Sequence, residues 1–274
     1  MAEKEMSFLD HLEELRWHVI RSISAIFIVA IMVFIYIKTI FDKVLLAHLK
    51  PDFDTYQFFC KVFTGLGMES SFCDIQFKQT LQALNPTQQL MTAIWSSLIL
   101  GFIISFPYVL WEIWRFISPG LLDNERKKSR GFIFWASFLF FLGILFSYYV
   151  IIPMSVYFFY NFTIGDAVVN NFKLDAYIGL VTNTLIGVAV FFELPIIIFF
   201  LSRVGLITPE FLKRYRKHAL VLVLILAAII TPPDIASQVI VSVPIMILYE
   251  ISIHISKFVI KKQQKNVEKS PRVQ

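Results

Sequence analysis

The sequence predicts an all-α, polytopic membrane protein with six transmembrane helices and both termini in the cytosol. Three observations carry this. Of 274 residues, 57% are hydrophobic and 16% charged, against roughly 45–50% and 25% in soluble domains. Two charge-free stretches, Leu90–Trp111 and Gly131–Ile152, are 22 residues each, enough as helices to cross a hydrocarbon core of roughly 30 Å. Lysine and arginine, finally, are distributed unevenly among the connecting segments.

The spans are expected at about 17–37, 90–114, 131–152, 177–202, 217–231 and 235–256, within one transmembrane domain over residues 1–260. Trp17–Ile37 contains only Arg21, near enough to its start to snorkel to the headgroups. Tyr177–Ser202 contains one acid, Glu193, just before Pro195; such a carboxylate costs roughly 2.5–3.5 kcal/mol on insertion scales, which its apolar neighbours offset. The fifth and sixth helices are expected to be short, separated by the turn Thr231-Pro232-Pro233-Asp234. The apolar part of the fifth, Ala219–Ile230, reaches only about 18 Å, so the bilayer thins around it or the last pair forms a shallow hairpin.

Of the 25 basic residues, nineteen fall on the side of the termini and six opposite. The positive-inside rule therefore places both termini in the cytosol. The net charge of +5 is a topological signal rather than a nucleic-acid footprint. No cleavable signal peptide is expected, because the first apolar stretch is too long for one.

Residues 1–16 read as a short cytosolic amphipathic helix, with Phe8, Leu12, Leu15 and Val19 at helical spacing and a capping-box-like start at Ser7 and Asp10. The external segment at about 38–86 is too long for a structureless connection, so helical pieces are expected in it. It holds both cysteines, Cys60 and Cys73. An oxidising compartment would join them; the alternative is two unpaired thiols that merely pack. Residues 261–274 form a polar, lysine-rich tail expected to be disordered.

No nucleophile–base set, phosphate loop or metal-ligand cluster is visible, and the five histidines are scattered. No enzyme activity and no cofactor or metal is expected, leaving binding or transport. Polar features fall in four places. Asp10 and Glu14 form a like-charge pair at i and i+4 on the first helix, which a cationic partner would relieve and which otherwise is a solvated acidic face. The first cytosolic loop carries Asp123 and Glu125 among basic residues. Glu193 lies inside a span, where an ionisable residue is a functional candidate or a carboxyl bonded to another helix. Thr231 and Gln238 bracket the turn before the last helix, seeking partners on a neighbouring helix or satisfied within the chain.

These places, in this order, resemble the TatC family, the signal-peptide receptor subunits of the twin-arginine protein translocase. The resemblance is carried by Phe8-Leu9-Asp10-His11-Leu12-Glu13-Glu14-Leu15-Arg16, by Trp114-Arg115-Phe116-Ile117-Ser118-Pro119-Gly120-Leu121 with Glu125-Arg126, by Phe192-Glu193-Leu194-Pro195, and by Thr231-Pro232-Pro233-Asp234 with Ser237-Gln238. It implies a receptor that binds twin-arginine signal peptides and exports folded proteins on the proton-motive force, without ATP hydrolysis. The expected partners are TatA/TatB-type single-span proteins and further copies of the chain, and the expected location is the bacterial cytoplasmic (inner) membrane. By the family pattern, Glu14 and Glu125 receive the arginines beside Arg16 and Phe116. Glu193 is the intramembrane polar position, Thr231 and Gln238 help dock a partner helix, and Pro232, Pro233 and Asp234 form the structural turn. Two departures are the long cysteine-bearing external loop and Ala47-His48-Leu49, where a proline is expected after the alanine. The alternative function is a proton-coupled small-solute transporter using Glu193, which lacks a visible partner charge.

Overall fold

The computed structural model of the chain describes residues 8–67, 73, 75, 81–118, 130–163, 165, 171–230 and 235–269. The chain divides into two compact units. The first comprises Met1–Lys50, Gln79–Phe138 and Asn171–Thr182, the second Pro51–Lys78, Leu139–Asn170 and Asn183–Gln274.

The main helices among the described residues are α1 (Phe8–Ile35), α2 (Asp54–Gly65), α3 (Gln88–Ile117), α4 (Arg130–Phe146), α5 (Ile152–Asn161), α6 (Leu174–Phe192), α7 (Leu194–Arg203), α8 (Pro209–Arg214), α9 (Arg216–Ile230) and α10 (Ile235–Lys269). Pairing of β type among the described residues is one isolated parallel bridge, Gln82 with Lys173. Among the described residues, five helical segments are long and apolar enough to cross a membrane: Leu12–Ile35, Gln88–Ile117, Ile133–Asn161, Leu174–Arg203 and Gln238–Lys262. The protein is therefore a multi-pass, all-helical membrane protein. The fifth expected span is α9, whose 15 residues extend about 22 Å.

In the first unit, the expected amphipathic helix and first span are one continuous helix, α1, because no glycine or proline interrupts residues 8–35. Its backbone approaches α3 closely at Gly101. A Cβ there would stand 2.8 Å from both the Cβ and the backbone nitrogen of Ala30, so only glycine permits the contact. α3 starts where Gln88, folded back, accepts from the backbone N–H of Leu84 at 2.7 Å and of Asn85 at 3.3 Å. The long connection between α1 and α3 contains helical pieces, as expected, beginning with Ile37–Ile40, Phe41–Leu45 and Ala47–Leu49. Tyr177 secures them, its hydroxyl donating to the Leu45 carbonyl at 2.8 Å.

In the second unit, the third span is longer than expected: α4 passes through a π-helical turn, Ser147–Ile151, into α5. Pro153 lacks the N–H that would bond the Tyr149 carbonyl four residues back, and the Thr55 hydroxyl of α2 takes that carbonyl at 2.5 Å. The adjacent Tyr56 is fully buried and donates to the Pro153 carbonyl at 3.1 Å; burial pushes its phenol pKa well up. Cys60 and Cys73 form a disulfide, Cα–Cα 5.0 Å, tying the end of α2 to the segment beyond it.

The fourth span is broken rather than continuous. Pro195 denies a donor to the preceding turn, so α6 stops at Phe192 and α7 resumes after Glu193. Gly205, at φ +82, closes α7: its N–H bonds the Ser202 carbonyl and that of Leu206 the Leu201 carbonyl, a Schellman ending that requires a left-handed residue. Thr208 then caps α8, accepting from the Phe211 N–H, with Pro209 in the first turn. One core cluster gathers Ile151, Val188, Phe192, Val223, Ala227, Val241, Ile245 and Leu248. Beside it, Ser202 and Ser256, both fully buried, share a hydrogen bond of 2.7 Å.

Two expectations are corrected at the C-terminus. The sixth helix is not short: α10 has 35 residues. The tail expected to be disordered from 261 is helical through Lys269, because its Lys, Gln and Glu residues are good helix formers and need no new nucleus to extend an existing helix. The turn residues Thr231, Pro232, Pro233 and Asp234 lie outside the described residues.

Candidate functional site

The expected signal-peptide residues fall on two packed helices of the first unit. Glu14 and Arg16 lie near the start of α1, Glu14 half-buried and Arg16 exposed. Phe116 lies in the last turn of α3, which ends at Ile117. Glu125 and Asp123 lie outside the described residues. Leu12, Leu15 and Val19 are at least 37% exposed; the apolar side of α1 is thus available to lipid or ligand.

Between Glu14 and Phe116 stands a polar cluster that sequence reasoning missed. His18, one turn beyond Glu14, is buried, and its Nδ1 lies 2.5 Å from Oε2 of Glu112. The other carboxylate oxygen of Glu112, Oε1, accepts from the Tyr108 hydroxyl at 3.0 Å. Arg21 Nη1 is 4.0 Å from Oε2, so the 1%-exposed carboxylate has three partners. The His18 ring also meets Phe116 edge-on, centroids 6.1 Å apart. The signal was present in the sequence: Glu112 closes an otherwise charge-free run, and a carboxylate on an apolar helix demands a partner. Finding His18 as that partner required the packing of α1 on α3.

The remaining candidates belong to the second unit. Glu193 is 8% exposed and caps α7 through its backbone, its carbonyl accepting from Ile196 and Ile197, while Oε1 has no hydrogen-bond partner among the described residues. Gln238 is satisfied within the chain, its amide donating to the Leu224 carbonyl of α9 at 2.8 Å. One turn further along α10, Ser242 begins an open apolar groove of about 460 Å³, lined mainly by Leu220, Val243, Met246, Ile247 and Ile251. Glu250 at its edge pairs with Arg216 at 2.8 Å. Both are some 40–46% exposed, so the pair adds little stability.

Comparison with known proteins bears on these positions. Residues 10–244 match the family described as "Sec-independent protein translocase protein (TatC)". The chain is 42% identical over 263 residues to the TatC protein of Blattabacterium sp. subsp. Periplaneta americana, covering 95% of this chain and 98% of that one. Against TatC of Helicobacter pylori strain 26695 it is 35% identical, covering 91% and 87%, and against TatCy of Bacillus subtilis 32% identical, covering 97% and 94%. The crystal structure of a twin-arginine translocase receptor, TatC, superposes with a TM-score of 0.70 at 32% identity, covering 91% of this chain and 99% of that one. With its succession of apolar helices and a match running from α1 into α10, the chain belongs to the TatC family of Sec-independent protein translocase components.

Proposed function

We propose that this chain is the receptor of a twin-arginine translocase: it binds twin-arginine signal peptides at its cytosolic face and, with TatA/TatB-type single-span partners and further copies of itself, exports folded proteins on the proton-motive force. It works in the bacterial cytoplasmic membrane with six spans, α9 included, and both termini inside. The nineteen-to-six distribution of basic residues supports this orientation. So does the Cys60–Cys73 disulfide, which belongs in an oxidising compartment and lies in a segment assigned outside.

The observation that carries the reading is the placement of Glu14. Half-buried on α1, it lies one turn from the residue that contacts Phe116 on α3, beside apolar side chains open to a ligand. Arginine's planar fork suits bidentate pairing with such a carboxylate. Glu125 supplies the second acid. Partner helices dock along the groove beginning at Ser242, one turn along α10 from Gln238.

The experiment is a titration of the purified protein with a synthetic twin-arginine signal peptide. Glu14→Ala and Glu125→Ala are each expected to weaken binding about tenfold or more, and a twin-lysine peptide to bind poorly to the unaltered protein. Unchanged binding in both variants sinks the assignment. A small-solute transporter using Glu193 is the weaker reading, since no charged partner faces that carboxylate among the described residues.

A further inference from the structure

We propose that Glu112 is a positioning residue of the signal-peptide site: together with His18 it forms a buried clamp that fixes the Glu14-bearing face of α1 against the Phe116-bearing end of α3. This inference rests on the receptor reading above and adds residues that neither the sequence pattern nor the family comparison assigns.

Spacing is the first support. Glu14 and His18 stand at i and i+4 on α1, and Tyr108, Glu112 and Phe116 at i, i+4 and i+8 on α3, so each set lines one face of its helix. His18 touches both functional levels of α3 at once, with its ring nitrogen on the Glu112 carboxylate and its ring edge on Phe116. A slip or rotation of α1 by one residue breaks both contacts together.

Burial is the second. A carboxylate that is 1% exposed is costly unless its oxygens are satisfied, and here both are: Oε2 by His18, with Arg21 beyond it, and Oε1 by Tyr108. Every alternative packing of the two helices strands that charge, whereas packing through aliphatic side chains tolerates sliding. Further along the same pair, Gly101 meets Ala30 with no room for a Cβ. The helices are thus held by close contact at Gly101 and by charge at Glu112, and the second hold is the one next to Glu14. Glu112 itself is too enclosed to receive a ligand arginine, so it acts through position.

The test uses the full-length protein and a synthetic twin-arginine peptide. Glu112→Leu and His18→Leu should each weaken binding about tenfold while keeping the preference for arginine over lysine that Glu14→Ala abolishes. The double variant should be no worse than the weaker single, since the two residues act as one unit. Glu112→Gln, which still accepts hydrogen bonds, should recover most of the affinity, and Tyr108→Phe should give an intermediate loss in case the leucine variants fail to fold. Spin labels at Leu12→Cys and Ile117→Cys, both exposed, report the helix placement directly, because the native cysteines are bonded to each other. The clamp predicts a broadened interlabel distance in Glu112→Leu and a sharp one in Glu112→Gln. Unchanged affinity and unchanged distances in Glu112→Leu, or additive losses in the double variant, overturn it. If Glu14→Ala also leaves binding intact, the receptor site itself is misplaced, and the label distances alone decide the clamp.

Discussion

The hydroxyl of Thr55 bonds the Tyr149 carbonyl at 2.5 Å, the carbonyl that Pro153 leaves without its helical donor. A proline inside a membrane helix is tolerated when a neighbour satisfies the freed group, and here the neighbour comes from the long connection between α1 and α3. Thr55→Val keeps shape and removes the donor. It is expected to destabilise the protein by about 1–3 kcal/mol, read as a lower midpoint of thermal unfolding in detergent, with Thr55→Ser close to the unaltered protein.

Gly101 admits no side chain beside Ala30. Gly101→Val is expected to push α1 from α3, with a cost of about 1–3 kcal/mol for overpacking. A disulfide-trapping series across the two helices should show displaced pairing. Gly65, where a Cβ would meet nothing within 4 Å, serves as the control, and Gly65→Ala should leave stability near its starting value.

Ser202 and Ser256 share a buried hydrogen bond between α7 and α10. Replacing one alone, as in Ser256→Ala, strands the other hydroxyl. Replacing both by alanine strands nothing. The single variant is therefore expected to be at least as damaging as the double, by roughly 1 kcal/mol, in unfolding midpoints of the three proteins measured side by side.

The Cys60–Cys73 bond closes a short loop at the end of α2. Intact protein should take up no maleimide until reduced and two equivalents afterwards, counted by mass. Cys60→Ser with Cys73→Ser removes up to about 3 kcal/mol in the chain-entropy model. The proposed site uses no residue of this loop, so peptide binding should survive, and a loss of binding would place this segment in the site.

Much of the fold was legible in sequence because a bilayer makes stringent demands on it. Runs of twenty apolar residues have few other uses, and basic residues mark the loops between them. The break at Glu193 was not read, the fourth span being expected as continuous despite Pro195, and the disulfide was one of two open readings for the only cysteine pair. Helix ends were less legible: nothing local announces that the amphipathic helix read over residues 1–16 runs without a break into the first span, or that α10 continues into lysine-rich sequence, since a helix once nucleated extends through any good helix formers.

Of the candidate site, sequence determined the residue types, the order of the four polar places, and hence the family resemblance. Tertiary structure decided which of those residues meet. Glu112 reads in sequence as one charge at the edge of a span and His18 as one of five scattered histidines; only the packing of α1 on α3 makes them partners, ninety-four positions apart. For Gln238, similarly, the sequence leaves open whether its amide meets a neighbouring helix of the same chain or a partner, and only the fold supplies the Leu224 carbonyl. The physical reason is the same in both cases. The cost of burying a polar group belongs to the residue and is visible in sequence, whereas the partner that offsets it is chosen by how helices pack.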